Sequence, residues 1–132
     1  MTRHRRTDGL HEAAAAGDVD AVREHLAAGA AIDRIDADRC SPLHAAVTAG
    51  AIDAAGVLVE AGADLEFRGR RELLTPLHLA VLSWRRSPDG AMIALLRGYG
   101  ADPAARDAHG LTAMEIGHRH AGLPAELAAL LR

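Results

Sequence analysis

The hydrophobic residues of this chain gather in short blocks that open on a polar residue. Leu74–Leu82 reads LTPLHLAVL, apolar but for Thr75 and His78, and Cys40–Thr48 reads CSPLHAAVT, the same form 34 residues earlier. Ser41 and Thr75 are N-cap types, whose oxygens accept from the free N–H groups of a first helical turn. Pro42 and Pro76 stand next, at the first helical position, where a missing N–H costs nothing. The pattern predicts a short helix from Ser41 to about Gly50 and a second over Ile52–Ala61, closing at Gly62. It predicts the same pair from Asp8 to about Gly17 and over Val19–Ala28, closing at Gly29, and a later second helix closing at Gly100. Glycine at those ends can take the left-handed C-terminal conformation. Polar turns follow over Asp33–Arg39, Glu66–Glu72 and Ala104–Gly110.

The blocks recur in register. Stepping back 33 residues from Ser41 reaches Asp8-Gly9-Leu10-His11, and 37 forward from Thr75 reaches Thr112-Ala113-Met114-Glu115. A second marker keeps phase: AAGAAID (Ala27–Asp33), EAGADLE (Glu60–Glu66) and GYGADPA (Gly98–Ala104). Four units result, approximately 8–40, 41–74, 75–111 and 112–132, after a flexible basic arm at 1–7. Helices this short do not hold in water alone. Each unit has an apolar face that only a neighbour covers, so stacking in a line is expected. Leu43, Val57, Leu58, Leu77, Leu95, Leu96, Leu127 and Leu130 are the expected core.

These residues resemble the ankyrin repeat, whose hallmark is Thr-Pro-Leu-His followed by paired helices and a Gly-Ala-Asp turn. The resemblance covers Asp8–Arg132, is strongest in units two and three, and includes ARDAHGLTA (Ala105–Ala113) ahead of the fourth. It implies an all-α solenoid of helix-turn-helix units joined by β-hairpin-like turns. It also implies that His11, His44 and His78 are structural, bonding back to the Ser/Thr hydroxyl and locking the turn. His11 faces Asp8 in place of a hydroxyl. Glu115 replaces the histidine in the last unit, as end units of the family often depart from the pattern.

Two additions break the period. One residue is added before Thr75, in FRGRRELL (Phe67–Leu74), and four fall in SWRRSPDG (Ser83–Gly90). Ser87-Pro88-Asp89 reads as a fresh N-cap with proline at the first position, so the following helix is expected intact. The longer loop holds the one tryptophan, Trp84, beside Arg85 and Arg86, and these residue types are enriched at binding hot spots. By family geometry the turns and inner helix faces line a concave groove. That places Arg70, Arg71, Glu72, Leu74 and Leu82 near Ser83 and Trp84, and the docking expectation below adds Arg68, Arg85 and Arg86. The matching positions are Ala37, Asp38, Cys40 and Thr48 in unit two, and His109, Leu111, Arg119 and His120 in unit four. One expectation is an anionic partner docking on the arginines around Trp84. The other is that Trp84 covers an exposed end of the unit-three helix pair while the arginines are solvated.

Composition narrows the choice. The three aromatic residues, Phe67, Trp84 and Tyr99, and the many alanines and leucines suit close-packed helices better than a β-sandwich. All fifteen basic residues are arginine, which excludes Schiff-base, P-loop and modified-lysine chemistry. The single cysteine, Cys40, excludes an internal disulfide and fits a reducing compartment. No apolar run follows MTRHRRTDGL as a secretory signal requires, and none approaches the roughly 18–20 residues of a membrane helix. The expectation is a soluble cytoplasmic protein. Heavy use of Ala, Arg, Gly and Asp points to a GC-rich bacterial gene. Asp8–Glu66 carries a charge of −9 and Phe67–Arg132 one of +3, an asymmetry that steers partners rather than setting the fold.

The eight histidines raise a metal site. Three occupy the repeat position; His4 is in the arm, His25 in a helix and His109 in a turn. His118 and His120, two apart on a helix, point to different faces, and no Cys/His spacing resembles a zinc site. Cys40 and His44 are four apart, but Cys40 precedes the cap while His44 turns toward Ser41, so Cys40 is expected exposed and unreactive. No convergent acid, base and nucleophile stands outside the repeat positions. No catalytic residue, metal or cofactor is expected. Nucleic acid, suggested by the arginines including Arg3, Arg5 and Arg6, is opposed by the acidic half and by the few stacking aromatics. The expected function is a protein–protein interaction module, an adaptor, inhibitor or regulatory subunit, binding an acidic patch through the concave face and the unit-three loop. Self-association through Trp84 and Leu82 stays open. The alternative is an accessory protein or enzyme acting on a small molecule held in the groove.

Overall fold

The computed structural model describes residues 6–132. Among them the chain forms helices in pairs: α1 (Arg6–Ala16) with α2 (Val19–Ala27), α3 (Pro42–Ala49) with α4 (Ile52–Glu60), and α5 (Pro76–Leu82) with α6 (Ala91–Gly98). The last pair is two short helices, α7 (Ala113–Ile116) and α8 (Ala125–Ala128). Trp84–Arg86 and Ala129–Leu131 are 3-10 turns, and Gly117–Ala121 is a π-turn. The described residues hold no strand, only an isolated antiparallel bridge between Gly69 and Leu74. None of their helices is long and apolar enough to cross a membrane.

Each first helix packs on its own second helix and on the next first helix: α1 on α2 and α3, α3 on α4 and α5, α5 on α6 and α7. The second helices form an outer row, α2 against α4 and α4 against α6. Buried Ala14, Ala46, Ala54, Ala55 and Ala80 let the axes approach, while Leu43, Leu58, Leu77, Met92, Ile93 and Leu96 fill the space between rows. Leu127 is buried as expected, but Val57, Leu95 and Leu130 are only half-buried. Val57 and Leu95 reach the outer side of α4 and α6, where no third layer covers them.

The ends follow from the caps. Ser41, Thr75 and Thr112 accept from the N–H of His44, His78 and Glu115. Gly29, Gly62 and Gly100 follow the second helices at φ 94, 105 and 99. The expected cap at Asp8 is not one: α1 begins at Arg6 and Asp8 lies inside it. A proline forces the residue before it out of helical geometry, as at Ser41 and Thr75, whose ψ values are 167 and 165. Gly9 follows Asp8 and imposes no such stop. Of the expected basic arm, Arg3 and Arg5 lie outside the described residues, whereas Arg6 and Thr7 belong to α1. The start of α6 also differs. It begins at Ala91, not at Pro88, with Gly90 left-handed at φ 80 as the N-cap. Ser87 Oγ accepts from the Met92 N–H at 3.3 Å and Asp89 Oδ1 from the Ala91 N–H at 3.0 Å. Gly90 packs under the last unit, where a Cβ would sit 2.6 Å from Leu127 Cδ2.

The repeat histidines tie each unit to the next. His44 Nε2 meets the Leu74 carbonyl at 2.8 Å, His78 Nε2 the Leu111 carbonyl at 2.9 Å, and His11 Nε2 the Cys40 carbonyl at 2.9 Å. A carbonyl only accepts, so Nε2 carries the proton and Nδ1 is left to accept. Ser41 Oγ donates to His44 Nδ1 at 2.8 Å, and Thr75 Oγ1 to His78 Nδ1 at 2.7 Å. His11 Nδ1 has no partner among the described residues. In the last unit Glu115 replaces the histidine and accepts from the Thr112 N–H at 3.0 Å, closing a capping box within its own helix. Consecutive turns are bonded as well. The Arg70 N–H donates to the Arg39 carbonyl at 3.1 Å and the Ala108 N–H to the Glu72 carbonyl at 2.8 Å.

Two outcomes follow from this packing. Leu43→Ala and Leu77→Ala should each lose about 2–5 kcal/mol in urea unfolding, as buried large-to-small changes do, and half-buried Leu95→Ala clearly less. Equal losses at all three positions would contradict the burial pattern. The second concerns pH. Burial pulls the His44 imidazole below its ordinary value of 6.5, so between the two values the unfolded chain binds a proton that the folded chain refuses. The stability from His44 is complete above pH 6.5 and is lost as pH falls through the depressed value. His44→Gln should cost about 1–3 kcal/mol at pH 7.5 through unpaired partners, and its deficit against the parent should shrink toward pH 4.5. A deficit independent of pH would refute the neutral bridge.

Candidate functional site

The third and fourth units enclose an open cavity of about 560 Å³ between their turns and first helices. Arg70, Glu72 and Leu74 enter it from the turn before α5, and Leu82 from the end of α5. His109 and Leu111 come from the next turn, and Arg119 and His120 from the π-turn. These eight are sequence-predicted positions, and the structure brings them together. Asp107 and Ile116 complete the lining. Both escaped the sequence reading, although Asp107 had a visible signal: DAHGL (Asp107–Leu111) mirrors DADRC (Asp36–Cys40). In each turn the leading aspartate accepts twice, Asp107 Oδ1 from His109 and Leu111 N–H at 2.8 and 2.9 Å, and Asp36 Oδ1 from Asp38 and Cys40 N–H at 2.9 Å.

The turn between these two is built differently. It has Gly69 in place of aspartate, and the N–H and carbonyl of Gly69 and Leu74 exchange two bonds of 2.8 Å. A Cβ on Gly69 would lie 2.8 Å from the Arg39 carbonyl oxygen and 2.9 Å from the His44 ring. The added residue of FRGRRELL is taken up here, with Arg70 and Leu73 in the left-handed region at φ 64 and 58. Leu74 turns inward and is 4 % exposed, whereas Leu82 at the open side is 39 % exposed.

The unit-three loop does not join this cavity, which corrects the expected grouping. Ser83 Oγ donates back to the Leu79 carbonyl at 2.6 Å. Trp84 packs half-buried against the core, and its indole N–H donates to the Ala121 carbonyl at 2.7 Å. Arg85 Nη1 reaches the same oxygen at 3.3 Å, with its guanidinium carbon 4.6 Å from the Trp84 ring centroid. Arg86 lies against Gly50 after α3, where a Cβ on that glycine would sit 2.9 Å from Arg86 Cβ. Trp84 thus reaches across from its loop to unit four. Arg71 lines a neighbouring cavity of about 620 Å³ with Ala37, Asp38, Arg39, Cys40, Arg70 and Glu72. Arg68 is exposed and lines neither cavity, nor does Thr48.

The oxygen that Trp84 grips belongs to the last residue of the π-turn. Ten residues separate Thr112 from Gly122, where nine separate Ser41 from Gly50. The π-turn absorbs the extra one, ending at left-handed Gly122. Gly117 opens it because a Cβ there would meet Leu123 Cδ2 at 2.9 Å. The two side chains this turn sends into the cavity, Arg119 and His120, are exposed. Glu115 nearby has its carboxyl held low by the Thr112 N–H and hydroxyl, and lies 3.7 Å from Arg106.

Cys40, expected exposed, is 8 % exposed. Its Sγ faces the Asp38 carbonyl at 3.7 Å, and burial pushes the thiol up against the opposing pull of Arg70. A raised thiol is a weak nucleophile at neutral pH. Among the described residues no three His, Cys, Asp or Glu side chains come together as metal ligands.

Helix pairs stacked in a row, bonded turn to turn and open along one side, define a helical repeat solenoid of the interaction-module class. The family model of ankyrin repeats, three copies long, matches residues 10–114, and the chain belongs to the ankyrin repeat family. Ankyrin repeats are in general protein–protein interaction modules and typically non-enzymatic. No curated protein matches the chain in sequence.

Replacing Trp84 by phenylalanine keeps an aromatic ring and removes the shorter of the two donors to the Ala121 carbonyl, leaving Arg85 Nη1. The variant should lose about 1 kcal/mol, and amide exchange across residues 117–121 should accelerate. Unchanged protection there would show that the indole N–H does not hold the π-turn.

Proposed function

We propose that the chain is an adaptor, inhibitor or regulatory subunit that captures another protein by its acidic patch. The docking site is the cavity between the turns of units three and four. One observation carries this reading: exposed Leu82 shares an aliphatic floor with Leu74, Leu111 and Ile116, with Arg70 and Arg119 lining the same cavity. Arginine is among the residue types most enriched at interface hot spots, and covering exposed Leu82 removes apolar surface from water. Arg85 and Trp84, engaged with unit four, support the site from behind. Cytoplasmic action is part of this reading, supported by a lone thiol, Cys40, that suits a reducing compartment.

A second reading, an accessory protein or enzyme holding a small molecule, draws on the same cavity, whose volume falls within the roughly 300–1,000 Å³ of ligand pockets. Affinity capture from a source lysate separates the two. The parent chain should retain a stoichiometric protein, and Leu82→Asp with Arg119→Glu should lose it at unchanged melting temperature. A folded double variant that captures the same protein equally well would sink the concave-face reading. No captured protein, together with a melting shift from a small molecule, would favour the second.

A further inference from the structure

The apolar part of the groove is short. Leu74, Leu82, Leu111 and Ile116 form its floor. One unit earlier the residues matching Leu74 and Leu82 are Cys40 and Thr48, and one unit later the residue matching Leu82 is Arg119. The floor therefore has room for one bulky side chain and ends on both sides in polar groups. An extended apolar strip would find no continuation.

Charge defines what stands beside that side chain. Asp107 lies in the wall, but its carboxylate is buried and already accepts from two N–H groups. Among the described residues neither Arg70 nor Arg119 forms an ion pair. The rim thus offers two guanidinium groups, with Glu72 as the only carboxylate not used by the backbone. Guanidinium forks match carboxylates in bidentate geometry.

We propose that the cavity binds an extended acidic peptide segment of the partner, one bulky aliphatic side chain inserted over Leu82 and Ile116 with a carboxylate on each side meeting Arg70 and Arg119. This rests on the concave-face reading above and goes further by naming what the partner presents. Insertion covers the exposed carbon of Leu82, and the flanking carboxylates fix register across the groove. Glu72 disfavours a carboxylate placed directly over it, which sets the acids to the two sides.

The probe is a capped nine-residue peptide with one leucine between two pairs of glutamates, titrated into methyl-labelled protein. The Leu82 and Ile116 methyl signals should shift saturably. A serine in place of the leucine, or glutamines in place of the glutamates, should each weaken binding at least tenfold. Arg119→Gln in the protein should weaken it similarly, while Arg23→Gln on α2 should not. Several results would overturn the proposal: no shift at millimolar peptide, or equal binding by the serine or the glutamine peptide. Shifts that follow protein concentration alone would do so too, assigning the floor to a second copy of this chain. Lysate capture that depends on Leu82 while the peptides fail would leave the concave-face reading standing and reject this one, so the two failures are distinguishable.

Discussion

A buried imidazole can bridge two stretches of backbone only while it is neutral, with one nitrogen donating and the other accepting. In this chain His44 and His78 form that bridge in full, and His11 makes its Nε2 half. The Ser41 or Thr75 hydroxyl serves Nδ1, and the carbonyl ending the next turn takes the proton of Nε2. The tethered partners lie 29, 30 and 33 residues apart, yet the Nε2 contacts stay at 2.8 to 2.9 Å. The period of the chain is therefore free to vary while the junction is not. Helices of four to eleven residues, too short to persist alone, are held by these junctions and by the alanine-lined contact between rows. Where no described unit follows, the histidine is gone, and Glu115 closes a box within its own helix.

The freedom in length is spent in particular places. One residue is taken up where Gly69 pairs with Leu74, four in the turn that carries Trp84, and one in the π-turn after α7. All lie in or beside units three and four, and the histidine bridges keep their length, even that of His44, whose Leu74 carbonyl also accepts from the Gly69 N–H. π-turns often mark functional places in helices, and this one sends Arg119 and His120 into the cavity. The loop insertion sits on the far side of the same turn, with its indole on the Ala121 carbonyl. Departures from the repeat and the candidate site thus coincide, while the positions one unit earlier that match Leu74 and Leu82 are the smaller Cys40 and Thr48.

Much of the fold was legible because it depends on local chemistry. Caps at Ser41, Thr75 and Thr112, the glycines after the second helices and the repeat histidines are readable from neighbours in the chain. What was not legible depended on which face a side chain meets. Val57 and Leu95 have core chemistry but no third layer over them. Cys40 precedes a cap, which suggested a surface position, but the turn folds it inward beneath Arg70. Trp84 and its arginines looked like a docking patch from residue type and loop length; the carbonyl that Trp84 and Arg85 grip is 36 to 37 residues away. For the site, eight of the ten lining residues follow from the repeat register. Asp107 shared a pattern with Asp36 that was available, whereas Ile116 reads as core until the π-turn opens beside it.

The groove is made of bonds already formed. Its two turns are joined by Ala108 to Glu72, the first is tied to the turn before it by Arg70 to Arg39, and its leading aspartate is fixed by two N–H groups. A wall so held loses little freedom when a partner arrives, and lost freedom is a main cost of association. Charge then adds direction. Asp8–Glu66 carries −9 and Phe67–Arg132 carries +3, so an acidic partner is repelled from units one and two and drawn to units three and four. Repulsion at the wrong site narrows choice as effectively as attraction at the right one. A solenoid of near-identical units offers several similar grooves; uneven charge and one short aliphatic floor are what make a single groove different from the rest.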